Sequence, residues 1–259
     1  MTDRKLGAIH TPAPPAIRPL AARARLALMT PPRSADWLAA CPADGDPLGN
    51  DAVGDCVPCA ELRTIQVRRA NARGDSWRPT RDKAFALYAA LTGFNPMTGL
   101  PDDGTDTARA MASWATGGIR VDEQNLDVVC WATVDPADAA HIAIAIGHTG
   151  PVQVSLALPK AAEDLAVWSQ PPGNGAGWEP GSWGCHRVMA AKFDGLQRVC
   201  RTWGQDVVIH PAFWSAYVVA VDATLSREWM EATGLAPSGL DWDALQADLT
   251  GLPVGSPFD

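Results

Sequence analysis

Two cysteine and histidine words carry the clearest chemistry in this chain. The string Gly49-Asn50-Asp51-Ala52-Val53-Gly54-Asp55-Cys56 leads directly into CVPCAELRTIQVRRANAR (56–73). The second segment reads as a long helix, with Asp55 as its N-cap and Pro58 tolerated in the first turn. A cysteine in the first helical turn feels unpaired backbone N–H groups and the positive end of the helix dipole, both of which favour thiolate. The glycines before it let another backbone approach the sulfur. Far downstream, Gly184-Cys185-His186 opens an apparent strand. A cysteine at a helix start and a histidine on a facing strand are the two halves of a thiolate–imidazolium pair.

Other readings of the same residues compete. Cys56-Val57-Pro58-Cys59 has redox-motif spacing, but a polar Gly/Pro turn, not a buried strand, precedes it. Cys56, Cys59, Cys185 and His186 could be read as zinc ligands. Neighbours on a strand point to opposite faces, however, so Cys185 and His186 do not readily share one ion. His10, His141, His148 and His210 stand in no partnered motif, and the chain has no P-loop, Rossmann or Gly-x-Ser-x-Gly word.

The elements that must position these residues divide the chain. Residues 1–47 hold many prolines and read as an extended arm with at most one short helix, at 21–28. Helices are expected at 56–73, 81–92, 105–118 (capped by Thr105 or Asp106) and 136–147, and strands at 128–134, 151–158, 186–194, 196–204 and 213–221. Residues 168–184 read as a surface loop. Two further helices are expected near 226–233 and 241–249. Helices come first and strands second, which is α+β segregation.

Composition narrows the function classes. The chain has 259 residues, 47% of them hydrophobic, and a net charge of −8. That balance argues against nucleic-acid binding. No apolar run approaches the ~20 residues of a membrane helix, so no membrane insertion is expected. The start lacks the apolar stretch of a signal peptide, which suggests a cytoplasmic protein. The first 40 residues carry six basic and two acidic groups, so a basic arm precedes an acidic body. Six cysteines in this length do not make a disulfide scaffold.

Taken together, the words resemble the papain-like cysteine peptidases. Asn50 stands six residues before Cys56, and Arg201-Thr202-Trp203-Gly204 follows the His186 strand. The family pattern is Gln, five residues and the nucleophilic Cys, then a His strand and an Asn-Ser-Trp-Gly strand. The resemblance covers about 48–222 and looks like a divergent branch found in bacterial and tailed-phage genomes. It implies a papain-like α+β fold with an N-terminal helical lobe, a C-terminal antiparallel β lobe and a cleft between them. The arm (1–47) and an acidic helical tail (223–259) would flank this domain. It also implies Cys56 as nucleophile, His186 as base, Asn50 as donor to the oxyanion and Trp203 as a shield over the histidine. No metal or organic cofactor is implied. One departure stands out. The family's histidine-orienting Asn falls on Arg201, which has no acceptor and would repel an imidazolium. Thr202, Gln205 and Asp206 are within reach as substitutes.

The expected function is therefore a thiol hydrolase of peptide or isopeptide bonds with an altered triad and weak or specialised activity, its partner a peptide-like substrate. The alternative is a degenerate papain-like domain serving as a structural or binding subunit of a larger assembly such as a phage virion, joined through arm and tail.

Overall fold

The computed structural model describes residues 4–17, 19–20, 29–169, 175–230 and 235–241. In chain order the elements are β1 (Ala8–Ile9), β2 (Ala35–Asp36), α1 (Cys56–Arg73), α2 (Arg81–Thr92), β3 (Thr105–Asp106), α3 (Thr107–Gly117), β4 (Ile119–Val121), β5 (Gln124–Leu126), β6 (Val128–Val134), α4 (Ala139–Thr149), β7 (Val152–Leu158), β8 (Val167–Trp168), β9 (Gly184–Phe193), β10 (Arg198–Thr202), β11 (Gln205–Ile209), α5 (Pro211–Tyr217) and β12 (Val218–Ser226). The helices expected at 21–28 and 241–249, and the end of the one near 226–233, lie largely outside the described residues. Arg227–Trp229 is one 3₁₀ turn.

One sheet organises the β lobe, with strand order β6-β12-β7-β9-β10-β11-β8. Its pairs are antiparallel except β11 with β8. β9 is the strand that matters for the site. Its Met189 and Ala191 pack with Ala60 and Val67 of α1, while Val188 and Ala190 face the main β-lobe core. That alternation is the pleat of a strand buried on both faces.

Helix α1 is buried along most of its length, and buried polar side chains hold it to the sheet. Gln153 of β7 donates to the Ala60 carbonyl at 3.1 Å and to Thr64 Oγ1 at 2.7 Å. Arg68 donates to Ser226 Oγ at 2.7 Å and to both the carbonyl and the hydroxyl of Thr224. The turn leading into α1 is clamped by Arg63, which donates to both Asp44 oxygens at 2.8 Å. Buried charge-assisted bonds of this kind fix position because breaking one leaves an unsatisfied group.

Several expected boundaries move, each for a local reason. The strand expected over 213–221 is instead α5 followed by β12. Pro211 sits at the helix start, and Phe213, Trp214 and Tyr217 bury a common face. The strand expected over 196–204 ends at Thr202. Trp203 (φ 48°) and Gly204 (φ 75°) then form the tight turn of a hairpin whose second strand is β11. The helix expected at 136–147 runs over 139–149, with the Asp138 carboxylate accepting the His141 N–H. At 105–118, Asp106 caps α3, but Thr105 and Asp106 also form β3, which pairs in parallel with the arm strand β1. The stretch read as a surface loop begins at Trp168, the second residue of β8, which is fully buried.

Candidate active site

The cleft is built where the N-terminus of α1 meets the open edge of β9. Residues Gly184–Leu158 through Val188–Val154 pair β9 with β7, while β10 joins β9 only from Met189 onward. Into that gap comes Cys56, whose sulfur lies near enough to the backbone N–H of Arg187, the residue after His186, for that group to favour the thiolate. Cys56 and Cys59 carry no disulfide. Among the described residues no cluster of three or more His, Cys, Asp or Glu is placed to hold a metal ion.

His186 is completely buried. Its Nε2 lies 2.7 Å from Thr202 Oγ1. Its ring lies flat on the Trp203 indole, with centroids 4.5 Å apart and planes 8° apart. Nδ1 has no hydrogen-bond partner. Cys56 and His186 both stand against the start of β9, Cys56 through Arg187 and His186 as a residue of the strand, and no hydrogen bond joins them. Arg201 points away from the ring, because successive residues of a strand face opposite ways. Its guanidinium donates to both Asp206 oxygens, at 2.7 and 3.1 Å, and to the Cys41 carbonyl at 2.7 Å. Asp206 keeps its charge paired and holds the guanidinium firmly protonated despite burial.

Asn50 lines the same small cavity as Cys56, Thr202 and Trp203. Its Nδ2 donates to the Val53 carbonyl within its own loop at 3.3 Å. Asp55 departs from its expected role. Its side chain caps nothing, and the carboxyl turns inward beside Cys59 and Asn50. Burial drives its pKa up to about 8.

The charge pattern places the basic N-terminal arm on the acidic body or on a partner, but no local pattern says where it docks. Residues 4–10 run through the cleft. The Arg4 guanidinium stacks over Trp203 at 4.6 Å, and Lys5 Nζ pairs with Asp102 at 2.7 Å. Leu6 lies against Gly184. Gly7 turns its N–H toward the Cys56 sulfur, favouring the thiolate, and its carbonyl accepts the Thr105 N–H at 2.7 Å. Ala8 is buried beside Cys56 and Val57.

The consequence is electrostatic. The helix-start position was expected to favour thiolate. With the arm in place, desolvation outweighs the backbone donors, and the Cys56 thiol is pushed up to about 11. Burial, with the Arg4 cation nearby, holds His186 down near 3. In this covered state the Cys56 thiol and the His186 imidazole are both neutral.

The chain matches no protein-family model and no curated protein. Solved structures do match. Xylellain, a cysteine protease from Xylella fastidiosa, superposes with a TM-score of 0.63 at 14% identity, over 86% of this chain and 97% of that one. ProCathepsin B S9 from Trypanosoma congolense gives 0.62 at 11% identity, over 87% of each chain. Digestive procathepsin L 3 from the larval midgut of Tenebrio molitor gives 0.55 at 13%, over 82% of this chain and 75% of that one. The fold is papain-like, with a helical lobe and an antiparallel β lobe.

Proposed function

We propose that this chain is a thiol hydrolase acting on peptide or isopeptide bonds, with Cys56 as nucleophile, His186 as base and Thr202 as the group that orients the imidazole. The observation that carries this is the 2.7 Å contact of His186 Nε2 with Thr202 Oγ1, beside a partnerless Nδ1. A ring whose Nε2–H donates to Thr202 holds its lone pair on Nδ1, the tautomer that can accept a proton. The Trp203 indole over the ring keeps water from the His186–Thr202 bond.

The steps follow. Nδ1 takes the Cys56 proton, and the thiolate adds to the substrate carbonyl carbon. The oxyanion is held by the Cys56 backbone N–H and the remaining N–H of Asn50 Nδ2. Collapse expels the amine, protonated by His186, and leaves a thioester. Water, deprotonated by His186, then releases the acid and regenerates the thiol. The arm must leave the cleft first, since Gly7 occupies the sulfur's approach.

A second reading is a non-catalytic structural or binding subunit, in which the arm never leaves. The burial of both Cys56 and His186 favours it. Hydrolysis of a mixed peptide pool by the chain, lost in Cys56→Ala and in His186→Ala, supports the enzyme. A pool left intact under every condition that frees Cys56 for alkylation supports the subunit.

A further inference from the structure

Three glycines converge at the turn that leads into Cys56. Gly7 of the arm passes between Gly54, at the end of the turn entering α1, and Gly104, just before β3. A Cβ on Gly7 would overlap the Gly54 carbonyl group. A Cβ on Gly104 would overlap the Gly7 carbonyl oxygen, and one on Gly54 would lie 3.2 Å from Gly7 Cα. These obstacles are backbone atoms, so no rotamer change clears them. The passage is one bare backbone wide.

We infer that this passage is a glycine-selective slot, and that the site takes peptides with glycine against Gly54. On the N-terminal side of that glycine the walls accept a leucine-sized residue and then basic ones. This inference deepens the thiol-hydrolase reading and rests on it. The walls belong to the body of the protein and stay when the arm leaves. Any chain reaching the same sulfur therefore meets the same steric filter.

The flanking preferences follow from what the arm places there. Leu6 covers Gly184. Lys5 meets Asp102, whose carboxylate also accepts from the Gly54 N–H at 2.8 Å and the Tyr88 hydroxyl at 2.9 Å. Burial opposes ionisation of Asp102, but the Lys5 ammonium, and then those two bonds, hold its pKa low. Arg4 lies over the Trp203 face, a cation–π contact. The arm is not itself a substrate in this pose. It presents an N–H to the sulfur, where attack needs a carbonyl carbon.

The test uses the full chain. Gly7→Ala adds a methyl that the slot excludes, so the arm should leave and Cys56 should become open to iodoacetamide. A fall of the thiol from about 11 toward 9 alone gives about a 100-fold rise in thiolate at neutral pH. The synthetic peptide Arg-Lys-Leu-Gly-Ala-Ile should then slow alkylation of Cys56 again, whereas Arg-Lys-Leu-Ala-Ala-Ile should not. An Ala8→Arg chain, which displaces the arm by a different clash and leaves the slot glycines untouched, should show the same discrimination. Equal protection by both peptides in either chain overturns the inference, as does a Gly7→Ala chain no more reactive than the parent. Glycine-selective protection without cleavage of any peptide would instead leave the slot standing and remove the hydrolase reading.

Discussion

The Thr202 hydroxyl takes the place beside His186 that sequence resemblance assigns to residue 201, and it stands 2.7 Å from Nε2. The substitution is one of strand face. Arg201 and Thr202 project oppositely from β10, so a one-residue change of position brings a small acceptor to the ring and sends the cation to Asp206.

Thr202→Val should lower kcat about 10- to 100-fold, the effect of leaving a buried imidazole N–H unsatisfied at ~1–3 kcal/mol. Thr202→Ser keeps the hydroxyl and should retain most activity. The pH–rate profile separates orientation from simple loss of fold, since Thr202→Val should shift its acidic limb.

Arg201→Ala should act on stability and not on chemistry. It leaves the solvent-exposed Asp206 without its partner and removes a buried donor to the Cys41 carbonyl. A loss of about 1–3 kcal/mol in urea unfolding is expected, the cost of leaving the Cys41 carbonyl without its buried donor, with the acidic limb of the pH–rate profile unmoved. A shifted limb with unchanged stability would mean that Arg201 acts on His186 directly.

The buried acids set a pH dependence of stability. Asp55 and Glu61 both have pKa values raised to about 8, chiefly by burial. Between pH 4 and 8 the folded state therefore binds more protons than the unfolded one, so their contribution falls as pH rises and is lowest above about pH 8. His186 works oppositely in acid, because its low folded pKa makes stability rise from about pH 3 to 6.5. Urea midpoints should fall from pH 5.5 toward pH 8.5 by less in Asp55→Asn than in the parent.

Much of this was legible in the sequence. The bounds of α1, α2 and β6 follow from turn residues and apolar patterning, and the Cys56, His186 and Trp203 words led to the papain-like fold. The remainder depends on tertiary contacts. Nothing local marks residues 4–10 as a strand, because β1 exists only through its pairing with β3. The raised pKa of Cys56 comes from its burial in the folded chain, which outweighs the Arg187 and Gly7 N–H groups, so a helix-start argument alone gave the wrong sign. Asp55 looked like a cap by type, but a buried carboxyl beside Cys59 and Asn50 is a feature of the folded turn.

The central claim is that Cys56 and His186 act as one catalytic pair once the arm is displaced. The most direct measurement is the rate at which an activated N-acylglycine ester acylates Cys56 in the Gly7→Ala chain, followed by intact mass, with and without His186→Ala. The account predicts an acyl adduct on Cys56 that forms about 10²- to 10⁴-fold more slowly when the histidine is lost. Acylation of Cys56 at the same rate in both chains would contradict it.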